Sequence, residues 1–336
     1  MTTGRLASSG GWHTAFAPAT IANFGSGFDA FAAAIRVVGS GGALGDTVSV
    51  RRTKRRGLRV VEISGDGGRL PRSASRNCAA VAAGAVLRRE HAPFGLDLVL
   101  RKGLPLSSGL GSSAASAAAG AYASALAVGL APRPPRAGLT LENLDKSRLL
   151  LPALAGEHVA DGSWHGDNVF ASLVGGGLIV LSTRPAEIVP LRPAPSLRVV
   201  VVHPAFELET RRARAALPKR VTIADAASQA GRFASFVAAW PRGDRRGVGR
   251  GLEDRFAEPY RARLVPGYSE GKRAALRAGA YGVTFSGAGP SVVAVTPEGG
   301  EAAAGEAIRR AFARAGLASE VLVCRIDAHG AREVKR

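Results

Sequence analysis

Pro105-Leu106-Ser107-Ser108-Gly109-Leu110-Gly111-Ser112-Ser113-Ala114-Ala115 is the stretch on which the reading of this chain turns. It follows Leu96 to Leu100, whose alternation predicts a strand, and it opens an Ala-rich run that predicts a helix from about Ser112 to Val128. Glycine lets a backbone turn tightly and approach a ligand with no Cβ in the way. A helix N-terminus adds unpaired N–H groups and the positive end of the helix dipole, which suit phosphate oxygens. Ser112 and Ser113 are placed to cap the helix, or to reach a phosphate or a metal ion. The stretch is not a Walker A loop, since no G-x-x-x-x-G-K-[ST] occurs. By composition alone it reads equally as a Gly/Ser connection before a capped helix.

Outward from the loop, the chain mixes strands and helices without strict alternation, which predicts an α+β fold rather than a Rossmann sheet. Its 336 residues suggest about two domains. Strands are expected within Asp46 to Arg56, where the strand runs into a basic turn, and over Leu58 to Ile63, Gly175 to Leu181, Leu197 to Val202, Gly282 to Ser286, Val292 to Val295 and Val321 to Arg325. Helices are expected over Ser75 to Glu90 (N-cap Ser73 or Ser75), Arg148 to His158, Arg211 to Leu217, Ile223 to Trp240, Tyr268 to Ala278 and Glu301 to Ala315. Arg133-Pro134-Pro135-Arg136 breaks the pattern. The Pro-rich stretch Thr183 to Pro195 is the expected interdomain linker, giving domains 1–183 and 196–336.

Composition removes several function classes. Two cysteines, Cys78 and Cys324, exclude a disulfide scaffold or a multi-Cys zinc module, and read as buried reduced thiols. The charge-free run Leu104 to Pro132 is built from Ala, Gly and Ser, which reads as a tightly packed helix and not a membrane span. The first residues carry no apolar h-region, so a cytoplasmic location is expected. The net charge of +19 raises the question of nucleic acid, but the arginines are scattered apart from Arg51 to Arg56, and aromatics make up only 6%. Neither nucleic acid nor membrane is therefore expected as a partner. Attraction of a polyanionic small substrate is the milder use of the charge.

The loop resembles the P-x-x-x-G-L-G-S-S-A-A phosphate loop of the GHMP small-molecule kinases. Two further segments fall where that family has its other motifs: Pro18 to Asp29 (PATIANFGSGFD) and Gly282 to Ser291 (GVTFSGAGPS). Within the superfamily the wider pattern resembles the homoserine kinases. Their first motif reads roughly P-A-T-S-A-N-L-G-P-G-F-D, from which this chain departs at Ile21, Phe24 and Ser26. The likeness continues through Gly156-Glu157, His165-Gly166-Asp167-Asn168, Thr210 with Arg214, Ala257 to Arg261, and Cys324 to Asp327. The stretch Pro132 to Gly138 has no counterpart.

This resemblance implies a two-domain GHMP kinase fold: an N-terminal domain like one of a ribosomal protein, and a C-terminal ferredoxin-like α/β plait. It implies ATP and Mg²⁺ as cofactors and L-homoserine as substrate, phosphorylated on its hydroxyl in threonine biosynthesis. A homodimer is compatible with it. Arg214 and Arg261 would grip the substrate carboxylate, since guanidinium forks fit it bidentately. Arg211 and Arg212 compete with Arg214 for that register. Asp29 would pair with the ammonium, Asn23, His165 and Thr210 would add hydrogen bonds, and Asn168 would lie beside the reacting hydroxyl. Residues 105–115 would hold the phosphates, Ser113 and Glu157 the metal, and Asn77 the adenine side. The Ser286 to Ser291 loop would buttress the phosphate loop. Lys102 lies close enough in sequence to reach the phosphates, although no motif assigns it. Asp167 stays open between a general base and a support for Asn168.

Other readings compete. Another GHMP kinase of mevalonate type would not need the amino-acid grip of Asp29, His165, Arg214 and Arg261. A catalytically dead relative would not need Glu157, Ser113 and Asn168.

Overall fold

The computed structural model describes residues 11–39, 43–130 and 146–334. The expected break at Arg133-Pro134-Pro135-Arg136 lies outside the described residues.

The chain opens with β1 (His13–Pro18), β2 (Thr20–Phe24) and β3 (Gly27–Val37), and the first motif, which carries no strand expectation of its own, runs from the end of β1 through β2 into β3. Then come β4 (Gly45–Thr53), β5 (Leu58–Ser64), α1 (Cys78–Arg89), β6 (Gly95–Arg101) and α2 (Ser112–Ala127). The middle holds α3 (Ser147–Asp161), α4 (Asp167–Val174), β7 (Gly177–Thr183), β8 (Ala186–Pro190) and β9 (Leu197–Pro204). Helices α5 (Thr210–Ala215), α6 (Ile223–Ala239), α7 (Arg245–Gly251), α8 (Glu258–Arg261) and α9 (Tyr268–Arg277) follow. The chain closes with β10 (Gly282–Phe285), β11 (Val292–Pro297), α10 (Glu301–Arg314), β12 (Ser319–Ile326) and β13 (Arg332–Glu333). The architecture is α+β, as expected.

One sheet runs β13-β1-β4-β6-β5; the other runs β10-β11-β9-β12-β3-β7-β8, with β2 paired to β3. The Thr183 to Pro195 stretch is therefore not an irregular linker. Its Ala186–Pro190 segment is β8, antiparallel to β7. Pro185 sits at the turn before β8 and Pro190 ends this edge strand, positions where no ladder donor is required. The last strands also return across the expected boundary, β12 pairing with β3 and β13 with β1. The two halves are thus stitched together by backbone hydrogen bonds.

The Ala-rich composition has a packing reason. Every residue of α2 from Ala114 to Ala127 is buried. Gly120 meets α1 so closely that a Cβ there would lie 2.3 Å from the Ala79 carbonyl oxygen. Gly156 of α3 meets the Cys78 carbonyl in the same way, at 2.5 Å. Small residues let three helices close tightly on one another. Among the described residues, no helix is long and apolar enough to cross a membrane.

Helix α1 starts at Cys78, later than expected, because Asn77 and not Ser73 or Ser75 caps it. Asn77 Oδ1 accepts from the Ala80 N–H at 3.2 Å, while the two serine hydroxyls bond each other at 3.0 Å. Cys324 is buried, and burial pushes its thiol up to about 12. Cys78 is only half-buried. Phe24 of the first motif and Phe31 just after it pack edge-on against Phe236 of α6 and against Trp240, with centroids 5.0–6.0 Å apart. This aromatic cluster fastens the first motif to the second half.

Candidate active site

A cavity of about 820 Å³ opens between the glycine loop, the first motif and the α5 and α8 segments. The loop builds one wall. Gly109 and Gly111 have φ of 79° and 68°, a left-handed backbone that favours glycine. A Cβ on Gly109 would lie 2.4 Å from the Ser286 carbonyl oxygen, and one on Gly111 would lie 2.1 Å from Thr20 Oγ1. Gly111 is the residue before α2, so the amides of the first helical turn face the cavity. The buttress expected from the third motif is present: Ser286 Oγ donates to the Gly109 carbonyl at 2.7 Å, and the Ser291 N–H to the Ser108 carbonyl at 3.3 Å.

Of the loop residues, Leu106, Ser107, Ser108, Gly109, Gly111, Ser112 and Ser113 line the cavity. Leu110, Ala114 and Ala115 point into the core, and Pro105 faces a separate groove. Lys102 does not extend freely toward the cavity. Its ammonium is buried against Asp46 and donates to the Ser112 carbonyl at 2.8 Å and to Ser116 Oγ at 3.0 Å. It braces the start of α2 from beneath.

Ser113 Oγ donates to Glu157 Oε1 at 2.9 Å, which brings two oxygen donors to the mouth of the loop. Asn168, the second residue of α4, accepts from Thr20 Oγ1 at 2.7 Å. Thr20 thus fixes the amide orientation of Asn168, a role that no motif pattern announces. Asn77 lines the cavity, but its amide is engaged on both sides, since Nδ2 also donates to the Pro71 carbonyl at 3.1 Å.

The opposite wall is charged. Asn23 and Asp29 adopt positive φ, 52° and 53°, a backbone that Asn and Asp tolerate best among residues with a Cβ. Asn23 Oδ1 accepts from the Asp29 N–H at 2.7 Å, closing the turn. Asp29 takes Arg214 Nη2 at 2.8 Å and lies 3.3 Å from His165 Nδ1. Of the three arginines on α5, Arg214 is the one that reaches Asp29; Arg211 also lines the cavity but its side chain is 91% exposed, and Arg212 is exposed. Thr210, at the start of α5, also lines the cavity.

Arg261 is fully buried, with Nη1 donating to the Gly287 carbonyl at 3.0 Å. Its Nε and Nη2 are buried and meet no partner among the described residues. Burial, and next the charge of Arg214, push its guanidinium down to about 10. The Phe28 ring lies 5.4 Å from Arg261 Cζ and 5.7 Å from Arg214 Cζ, so one aromatic ring serves both cations. Asp167 is buried, and its Oδ2 meets no partner among the described residues. Burial, then the nearby Asp29 carboxylate, push it up to about 6.

The arrangement joins an anion cradle at a helix N-terminus to a pocket with an acid, two arginines and a histidine. That fold and site define a small-molecule kinase. The family described as GHMP kinases N terminal domain matches residues 77–176, and GHMP kinases C terminal matches residues 233–314. A homoserine kinase from Xylella fastidiosa is 39% identical, over 95% of this chain and 92% of that protein. One from Chlorobium phaeovibrioides is also 39% identical, over 94% of this chain and 98% of its own length. The crystal structure of homoserine kinase from Cytophaga hutchinsonii superposes with a TM-score of 0.87 at 35% identity, covering 97% of this chain and 98% of that one. The chain belongs to the homoserine kinases, within the GHMP kinases, and is an ATP-using phosphotransferase.

Proposed function

We propose that this chain transfers the terminal phosphoryl group of ATP to the hydroxyl of L-homoserine, giving O-phospho-L-homoserine on the way to threonine. The observation that carries the reading is Arg261: a fully buried guanidinium with two unpartnered nitrogens, beside the Asp29–Arg214 pair. A buried cation of that kind is costly unless an anion completes it. The substrate carboxylate supplies the anion. Mevalonate also has a carboxylate but no ammonium, and would leave Asp29 without a ligand cation.

In this reading the zwitterion enters the Asp29–Arg214 pair, its ammonium taking Asp29 and its carboxylate taking Arg214 and Arg261. Asn23, His165 and Thr210 complete its hydrogen bonds. Asn168, held by Thr20, orients the hydroxyl. The amides of residues 107–113 hold the phosphates, and the cavity around Asn77 receives the adenine. Ser113 and Glu157 offer hard oxygens of the kind Mg²⁺ prefers, with room for phosphate and water ligands. Bound there, Mg²⁺ would neutralise phosphate charge. Phosphoryl transfer through a loose transition state asks mainly for alignment and charge compensation, so a strong base is not obligatory. Asp167 then supports Asn168, whose N–H it accepts at 2.9 Å.

An ATP-coupled assay over a panel of hydroxylated metabolites tests the reading. ADP release should depend on L-homoserine; release with mevalonate and none with homoserine would overturn it.

A further inference from the structure

Arg261 is held by a hydrogen-bond relay that reaches the other side of the pocket. It ends the short helix α8, and Asp254 anchors the segment leading into that helix. Asp254 Oδ1 accepts from the Phe256 N–H at 2.7 Å, and Oδ2 from the Ala257 and Glu258 N–H groups at 3.0 and 2.9 Å. Gln229, buried on α6, ties this anchor to the first motif. Its Nε2 donates to Asp254 Oδ1 at 2.9 Å and to the Ser26 carbonyl at 3.1 Å, and its Oε1 accepts from the Arg255 N–H at 2.9 Å.

Ser26 lies in the turn between Asn23 and Asp29. It is itself fastened to Gly251, its N–H donating at 2.9 Å and its Oγ at 2.6 Å to the same carbonyl. This is a position where the chain departs from the proline of the family motif. Proline has neither an N–H nor a hydroxyl, so it could make neither bond. The turn carrying Asp29 and the helix carrying Arg261 therefore meet at one side-chain amide.

We propose that Gln229 is a positioning residue for substrate choice. Through Ser26 and Asp254 it fixes the gap between the Asn23–Asp29 turn and Arg261, and so selects an amino acid whose ammonium and carboxylate match that gap. The proposal rests on the reading of the cleft as a homoserine site. Gln229 touches neither ligand in that reading. A general role in holding the fold would weaken both substrate sites alike, whereas a positioning role weakens one.

Gln229→Leu keeps the approximate volume and removes all three bonds. Gln229→Glu keeps the acceptor for Arg255 and sets a carboxylate against Asp254 and the Ser26 carbonyl. Steady-state kinetics should show KM for L-homoserine raised roughly tenfold or more in the first variant and further in the second. KM for ATP should stay within about twofold, since the phosphate loop is untouched. The preference for L-homoserine over 3-aminopropan-1-ol, which lacks the carboxylate, should narrow by a similar factor. Folded variants in which both KM values rise together, or in which KM for homoserine is unchanged, would overturn the proposal. If both Gln229 variants fail to fold, Asp254→Asn must show the same split, and its absence there counts equally against it. A parent enzyme that ignores homoserine altogether would instead bring down the reading of the site, and this proposal with it.

Discussion

Arg214 holds Asp29 by two hydrogen bonds, Nη2 to Oδ1 at 2.8 Å and Nη1 to Oδ2 at 3.3 Å. The two groups expected to take opposite ends of the substrate take each other in the free enzyme. A zwitterion exchanges this internal pair for two pairs of its own, whereas a ligand with a single charge strands one partner. Asp29→Asn and Arg214→Gln should each cost about 2–5 kcal/mol in kcat/KM for homoserine, because the remaining charge loses its counterpart. The double variant should lose less than the sum by about 1–3 kcal/mol. Strict additivity in the double-mutant cycle would show that the two residues do not act as a pair.

Arg261→Leu removes the buried guanidinium without touching the phosphate loop. Its kcat/KM for homoserine should fall about 30-fold to several thousand-fold, at about 1.4 kcal/mol per tenfold. Phosphorylation of 3-aminopropan-1-ol, already poor, should fall little further. An equal loss on both substrates would assign Arg261 to the fold or to the phosphates.

In the proposed reaction the Ser113–Glu157 pair acts on transition-state charge and not on homoserine. Ser113→Ala and Glu157→Ala should lower kcat by about 10²–10³ with KM for homoserine nearly unchanged. Thr20→Val should lower kcat more mildly, by about tenfold, through a loosened Asn168 amide. Intact kcat in any of these variants removes that residue from the machinery.

Asp167 gives a pH signature in stability. Its carboxyl is raised from 3.8 to about 6 in the fold. Below about pH 4 both folded and unfolded forms hold the proton, so there is no penalty. Between about pH 4 and 6 the unfolded chain releases the proton first, and stability falls as pH rises. Above that window the full cost, about 3 kcal/mol for a shift of this size, is in place. Asp167→Asn should therefore be more stable than the parent at pH 7 and equal to it at pH 3.5, measured by urea melts. Its kcat should stay within about tenfold of the parent. A loss beyond about 10³ would make Asp167 an obligatory base.

The residues that speak locally were legible in the sequence. Gly109 and Gly111 announce a tight loop, and Arg214, Arg261 and Asp29 announce a charged pocket because they sit inside motifs. Residues defined by distant partners were not. Lys102 finds Asp46, Thr20 finds Asn168, and Gln229 finds Ser26 and Asp254 only once the sheets have brought them together. The same holds for β8. Its prolines read as punctuation, and only β7 beside it makes them the ends of an edge strand. At α1 the serines drew the cap too early, since a capping side chain is chosen by its reach to the Ala80 amide, and Asn77 has it.

In the proposed reaction the phosphate goes onto the hydroxyl of an amino acid held by Asp29, Arg214 and Arg261. Phosphorus NMR of the enzyme with ATP, Mg²⁺ and L-homoserine tests it most directly. The expected result is a phosphate monoester resonance that coincides with that of authentic O-phospho-L-homoserine and appears in equal amount with ADP. ADP accompanied only by inorganic phosphate, or no ADP with homoserine and a monoester with mevalonate, would contradict it.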